Sequence, residues 1–277
     1  MQNTVSYIRH ALHDCYPEGE ATALARIVYC EMLGRSTTDF YLDRRIDLTP
    51  AERDMLETTL ARLRAYEPIQ YIQGRARFLG RDFEVTPDVL IPRPETEELV
   101  ELILREMPPC RQVLDVGTGS GCIAISLSKE WHTHVEAWDV SARALEVARR
   151  NGLRLEADVD FALHDVLQKA LPAREKYNLI VSNPPYVTET ERTDMEQNVL
   201  EWEPALALFV PDDDPLRFYR AIGWLGRQML LSGGRLYFEI NRAFGQATGL
   251  MLEQMGYTHI RLQKDLSGND RFIIAEK

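Results

Sequence analysis

The chain has 277 residues, 45% of them hydrophobic and 27% charged, and a formal net charge of −11. That length suggests one large domain or two unequal ones with ample apolar material for a core. No apolar run approaches the roughly 18 residues of a membrane span, and the start MQNTVSYIRHALHDC has no basic stretch leading into an apolar one, so a cytoplasmic chain without a signal peptide is expected.

The first 67 residues read as helices. Val5, Ile8, Leu12 and Tyr16 recur at helical spacing, as do Leu24, Ile27, Val28 and Met32, with Gly34 as a stop. Thr49-Pro50-Ala51-Glu52 places Thr at N-cap, Pro at the first helical position and Glu two further on, which is a capping box. Met55, Leu56, Leu60 and Leu63 give that helix its apolar face, and Glu67-Pro68 ends it. A small helical bundle over 1–70 is expected. Phe78, Phe83 and Val85 around Gly80 suggest a hairpin within a linker over 71–93.

From 94 to 277 helices and strands alternate. ETEELVELILREM is helical, QVLDV a strand, CIAISLSKE a helix, HVEAWDV a strand and ARALEVARRNG a helix. FALHDV, NLIVSNPPY, RLYFEI and RFIIAEK supply further strands. Such alternation predicts an α/β fold, a mostly parallel sheet with helices on both faces. Ligands of these sheets bind beyond the carboxyl ends of the strands, which here means Asp115 to Gly121, Asp139, Asp165 and Asn183.

Several chemistries are disfavoured. Neither residues 1–75 nor the remainder has an excess of Lys and Arg, against the usual footprint of a phosphate-backbone binder. Cys15, Cys30, Cys110 and Cys122 are scattered without a C-x-x-C pair and read as reduced thiols. His132 and His134 have no further ligand at a matching spacing, so no metal is expected.

VLDVGTGSGCIAI carries the richest signal. Gly117, Gly119 and Gly121 alternate with Thr118 and Ser120, and position 122 is Cys where a dinucleotide fingerprint has its third Gly. No G-K-[ST] follows, so this is not a P-loop. Alternating glycines let the chain turn sharply and let backbone approach a ligand at a helix N-terminus, which favours an anion such as a carboxylate. D-x-G-x-G-x-G after a strand is the pattern of proteins that bind S-adenosylmethionine. Asp139 ends the next strand, where an acid accepts ribose hydroxyls or caps the following helix, a task open to Ser141 as well. Asp165 is read as accepting from an adenine amino group or as a plain capping acid.

Asn183-Pro184-Pro185-Tyr186 follows the strand NLIVS. The prolines fix the backbone and bring no N–H. The Asn183 side-chain carbonyl and the Pro184 backbone carbonyl are acceptors suited to a planar NH2, with Tyr186 available to pack on it. Holding both N–H groups draws the nitrogen lone pair toward an electrophilic methyl group, which is catalysis by positioning and electrostatics. A carboxamide and a base amine satisfy this corner equally.

Together with these motifs, EPIQYIQGRARFLGRDFEV at 67–85, LIPRPETEELV at 90–100, EPALALF at 203–209 and DLSGNDRFI at 265–273 make the chain similar to the release factor glutamine methyltransferases. The resemblance spans both parts of the chain. It implies a Rossmann-like class I methyltransferase sheet with an antiparallel last strand over 94–277, and a substrate-docking role for the helical part. It also implies transfer of methyl from S-adenosylmethionine to the glutamine amide of the Gly-Gly-Gln motif in peptide chain release factors, without direct nucleic-acid or membrane binding. By resemblance, Gly117, Thr118, Gly119, Ser120, Gly121, Asp139, Asp165, Val166 and Asn183 bind the cofactor, and Asn183, Pro184, Pro185 and Tyr186 bind the glutamine. Arg93, Glu95 and Glu97 fall near the mouth of the site or cap and pair on the adjoining helix. Asn241 stands where the family pattern often has Gly. An adenine or other nucleic-acid amino-methyltransferase is the alternative reading. A cofactor-binding module without catalysis and a dehydrogenase fit less well, the first because it has no use for the acceptor corner.

Overall fold

The computed structural model describes residues 3–44, 46–168 and 176–277. In the N-terminal part, capping chemistry sets the helix limits. Helix α1 (Thr4–Leu12) buries Val5, Ile8 and Leu12, and α2 (Glu18–Arg26) buries Leu24. A π-helical turn over Ile27–Met32 extends α2 to Gly34, which has φ 64°. At the start of α3 (Thr37–Tyr41) the Ser36 hydroxyl accepts the Asp39 N–H at 3.1 Å. Helix α4 (Pro50–Arg64) carries the expected capping box. Thr49 Oγ1 accepts the Glu52 N–H at 3.2 Å, and Glu52 Oε2 accepts the Thr49 N–H at 2.8 Å. These satisfy amides a helix start otherwise leaves unpaired. Helix α5 (Ile69–Gln73) ends at Gly74 in the left-handed region, φ 69°. The apolar faces close on one core that includes Ile8, Leu12, Val28, Tyr29, Leu56 and Leu60.

The chain divides into two compact units, residues 1–74 with 196–202 and residues 75–195 with 203–277. The second begins with a hairpin of β1 (Arg75–Phe78) and β2 (Arg81–Glu84), turned at Leu79 and Gly80, both with positive φ. Two positive φ values give the turn that matches strand twist. Phe78 and Phe83 are fully buried in this unit's core, beside Leu99 and Val100. Pro94 opens α6 (Pro94–Glu106), which is followed by β3 (Val113–Val116), α7 (Cys122–Trp131), β4 (Val135–Asp139), α8 (Ala142–Arg154) and β5 (Val159–Leu163). Next come β6 (Tyr177–Ser182), the two-residue β7 (Val187–Thr188), α9 (Gln197–Trp202) of the first unit, and β8 (Phe209–Val210), which pairs with β7. Helix α9 is tied to its unit by Trp202 Nε1, which donates to the Ala65 carbonyl at 3.0 Å. The chain closes with α10 (Arg217–Met229), β9 (Leu230–Glu239), α11 (Gly245–Gln254), β10 (Thr258–Lys264) and β11 (Asp270–Glu276).

Seven strands form one sheet in the order β10-β11-β9-β6-β3-β4-β5. The pairs β9–β6, β6–β3, β3–β4 and β4–β5 are parallel, and β11 runs antiparallel to both neighbours. This is the Rossmann-like class I arrangement with an antiparallel last strand. Strand period sorts the side chains into two layers. Val113, Leu179, Val181 and Tyr237 pack with α6 and α7, whereas Leu114, Ile180, Leu236 and Phe238 pack with α10. Every residue of β3 is buried, as expected of a central strand covered on both faces.

Strand β5 ends at Leu163, two residues before Asp165. The Asp165 carboxylate accepts the Leu167 N–H at 2.9 Å, so a side-chain turn replaces the ladder there. Among the described residues no helix is long and apolar enough to cross a membrane.

Candidate active site

Strand β3 is the switch point of the sheet, with β4 on one side and β6 on the other. Crevices at such points, outside the carboxyl ends of the strands, are the ligand sites of open α/β sheets. A cavity of about 260 Å³ lies there. Its walls include residues 116–120, Asp139, Val140, residues 164–167 and residues 182–185.

The glycine loop closes one end. Gly117, Gly119 and Gly121 all have positive φ, 77°, 54° and 84°. A Cβ on Gly121 would come 2.9 Å from Ile125 Cδ1, while one on Gly119 would meet nothing within 4 Å. The loop is built by the end of β4. The N–H groups of Gly117 and Thr118 donate to the Trp138 carbonyl at 2.8 and 3.0 Å, and the Gly119 N–H donates to Asp139 Oδ2 at 2.9 Å. The Gly121 N–H donates to the Thr118 carbonyl at 2.8 Å. These amides are therefore paired within the loop, which offers a ligand close backbone approach more than an array of open donors. Ser120 also lines the cavity, and its carbonyl accepts Asn151 Nδ2 at 2.9 Å. Beneath the loop Asp115 is fully buried. Its Oδ2 accepts from the Thr118 hydroxyl at 2.6 Å and the Ala124 N–H at 3.3 Å, while Oδ1 has no partner. Burial pushes its carboxyl up to about 7.

Asp139 does not cap α8. The Ser141 hydroxyl does so by accepting the Ala144 N–H at 3.2 Å, and Asp139 Oδ1 instead accepts the Ser141 N–H at 2.8 Å. Each oxygen of Asp139 holds one backbone amide and keeps further lone-pair capacity toward the cavity. Burial raises its carboxyl above the usual range, opposed by the N–H groups of Ser141, Gly119 and Val140. Asp165, Val166 and Leu167 line the same wall, as does His164, whose ring lies 4.4 Å from that of Trp138.

The corner after β6 forms the opposite wall. Ser182 Oγ donates to the Val116 carbonyl at 2.5 Å and ties the ends of β6 and β3 together. Asn183, Pro184 and Pro185 reach the cavity, whereas Tyr186 is not among its lining residues. The Tyr186 ring packs against the α10-side core, and its hydroxyl donates to Glu239 Oε1 at 3.1 Å. Asn183 Nδ2 donates to Thr96 Oγ1 at 3.1 Å, and the Thr96 hydroxyl donates to Glu239 Oε2 at 2.7 Å. Glu239 is 1% exposed, and burial pushes its carboxyl up to about 6 against the hydrogen bonds of Thr96 and Tyr186 and the charge of Arg271.

The acidic helix start before α6 divides its residues. Arg93 lines the cavity and pairs with the buried Glu203 at 2.5 Å. Glu97 Oε1 accepts the Leu79 N–H at 2.7 Å and so holds the β1–β2 hairpin. Glu95 acts on Glu239 by repulsion. Asn241, just past β9, fastens the far side of the corner. Its Nδ2 donates to the Tyr186 carbonyl at 3.1 Å and to the Glu191 carboxylate at 2.9 Å. Sequence reasoning singled out Arg93, Glu95 and Glu97 but passed over Thr96, Glu203 and Glu239. For Thr96 a signal existed, because Thr96, Leu99, Val100 and Ile103 fall on one helical face. Among the described residues no cluster could hold a metal ion, and all four cysteines are free thiols.

Two family models match the chain: the PrmC N-terminal domain over residues 4–74 and the methyltransferase small domain over residues 95–204. A protein of Bacteroides thetaiotaomicron named release factor glutamine methyltransferase is 52% identical over 100% of both chains. One of the same name from Flavobacterium psychrophilum is 42% identical over 95% of this chain and 94% of its own. Among solved structures, a methyltransferase from Pyrococcus furiosus superposes with a TM-score of 0.55 at 18% identity, over 80% of this chain and 98% of that one, a likeness of fold.

Proposed function

Because the chain belongs to the release factor glutamine methyltransferase family, we propose that it methylates the side-chain amide nitrogen of the glutamine in the Gly-Gly-Gln motif of peptide chain release factors, with S-adenosylmethionine as donor. The cavity suits that donor. Asp139 supplies a carboxylate at the end of β4 for ribose hydroxyls, Val140, Val166 and Leu167 supply apolar surface for a base, and Gly119 leaves open space where a Cβ would intrude. When bound, S-adenosylmethionine supplies a methyl group already activated by its sulfonium.

The observation that carries the reading is the orientation of Asn183. Its Nδ2 is held by Thr96, which leaves Oδ1 as its unpaired end at a cavity wall shared with Pro184. The Asn183 carbonyl and the Pro184 backbone carbonyl accept the two N–H groups of the substrate amide and keep its lone pair directed at the methyl group. No base is required before transfer, since the nitrogen sheds its surplus proton to water afterwards. Tyr186 supports the corner from behind, through Glu239. We assign the helical unit, expected over 1–70, to docking the protein substrate, and place the protein in the cytoplasm with its substrate, consistent with its free thiols.

A base amine would meet the same acceptors, so the test pairs both substrates. Purified protein with labelled S-adenosylmethionine is expected to add one methyl mass to the Gly-Gly-Gln peptide of a release factor and none to an adenine oligonucleotide. The reverse result overturns the assignment.

A further inference from the structure

A carboxamide is nearly the same shape in either orientation, yet only one orientation is useful at Asn183. With Oδ1 toward the cavity it accepts from a substrate NH2. Turned over, it presents its own NH2 to another NH2, two sets of donors face to face. Asn183 cannot select between these by itself.

The choice is made behind it. Thr96 is 3% exposed and Glu239 1% exposed, so neither trades partners with bulk water. An ionised carboxylate only accepts hydrogen bonds. Glu239 takes the Thr96 hydroxyl proton on Oε2 and the Tyr186 phenol proton on Oε1. With its single proton committed, Thr96 Oγ1 is purely an acceptor toward Asn183, and it receives Nδ2 at 3.1 Å. The flipped amide would place Oδ1 against that lone pair and leave a buried polar contact unmade, the costly case for hydrogen bonds. Burial works against the charge and raises this carboxyl to about 6, so above that pH Glu239 is ionised, with the hydrogen bonds of Thr96 and Tyr186 opposing the rise. The Arg271 charge favours the ionised form against repulsion from Glu95, and Arg271 is itself held by Asp265 at 3.1 Å.

We propose that Thr96, committed by Glu239, is the positioning residue that sets the Asn183 carboxamide with its carbonyl toward the substrate nitrogen. This rests on the reading of Asn183 as the substrate acceptor. Thr96→Val keeps the shape and removes the hydroxyl, while Thr96→Ser restores it.

In the full chain, with release factor as substrate, Thr96→Val is expected to lower kcat about 10- to 100-fold, with the Kd for S-adenosylmethionine unchanged, and Thr96→Ser to recover most of the loss. Wild-type kcat in Thr96→Val, or equal losses in the Val and Ser variants, overturns the inference. Asn183→Ala separates the two claims. If it turns over normally, the acceptor reading itself falls. If it is inactive while Thr96→Val is active, only the positioning role falls. Should Thr96→Val fail to fold, the wild-type protein still decides. Nuclear magnetic resonance on selectively labelled Asn183 is expected to show one slowly exchanging side-chain amide proton, and two freely exchanging protons overturn the proposal.

Discussion

The three loop glycines look alike in sequence, but the structure predicts that alanine at two of them will fail in different ways. Gly121 caps α7 with φ 84°, and an added Cβ would sit 2.9 Å from Ile125 Cδ1, 3.3 Å from Ala148 Cβ and 3.4 Å from the Phe161 ring. A left-handed backbone costs a residue with a Cβ about 1–2 kcal/mol. Crowding a packed core adds about 1–3 kcal/mol, toward the lower end here because the Ile125 methyl can shift. Gly121→Ala should therefore lose about 2–4 kcal/mol, a large part of the ~5–15 kcal/mol that holds a domain together. At roughly 3 °C per kcal/mol its melting temperature should fall by about 6–12 °C. Gly119 has φ 54° and nothing within 4 Å of the added carbon, so Gly119→Ala carries only the backbone term of about 1–2 kcal/mol. Gly119 lines the cavity, so a methyl group added there should weaken binding of S-adenosylmethionine about tenfold or more. Scanning calorimetry with titration calorimetry separates the two. Equal melting losses, or a Gly119→Ala protein that binds the cofactor normally, would refute the division of labour.

Turnover should fall as the pH drops through about 6, because Glu239 then carries a proton and no longer only accepts from Thr96 and Tyr186. A kcat profile flat from pH 5 to about 7.5 contradicts the relay. Asp115 titrates near 7 when folded against an ordinary 3.8, so protonation favours the native state. That stabilisation is complete below about pH 4 and lost as the pH rises to about 7. In Asp115→Asn, the drop in unfolding free energy between pH 5 and pH 8 should shrink, and an unchanged drop would speak against a buried charge there. Asn241→Gly removes the donor shared by the Tyr186 carbonyl and Glu191, at a cost of about 1–3 kcal/mol. Limited proteolysis within residues 187–195 should accelerate, and a cleavage rate equal to wild type would mean that Asn241 does not hold the loop.

What the sequence determined by itself was whatever depends on neighbours along the chain. Thr49 and Glu52 cap α4 as their three-residue spacing requires, and apolar periodicity marked the strands and helices that build the sheet. The glycine loop, Asp139 and Asn183 fall at strand ends, so the alternating pattern already put them on one edge. The end of β5 was less legible, because Asp165 turns the chain with its side chain where apolar alternation suggested that the strand ran on. The tertiary structure alone decided which groups stand behind the corner. Thr96 meets Glu239 across 143 positions of sequence, and Arg93 meets Glu203 across 110. The first pair depends on β9 lying next to β6 and on Glu239 sharing the face of Tyr237 toward α6. The direction of Tyr186 follows from the same cause, since a buried carboxylate takes the nearest donors and draws that hydroxyl away from the cavity. Strand order and side-chain parity are properties of the assembled sheet, so no local stretch of the chain contains them.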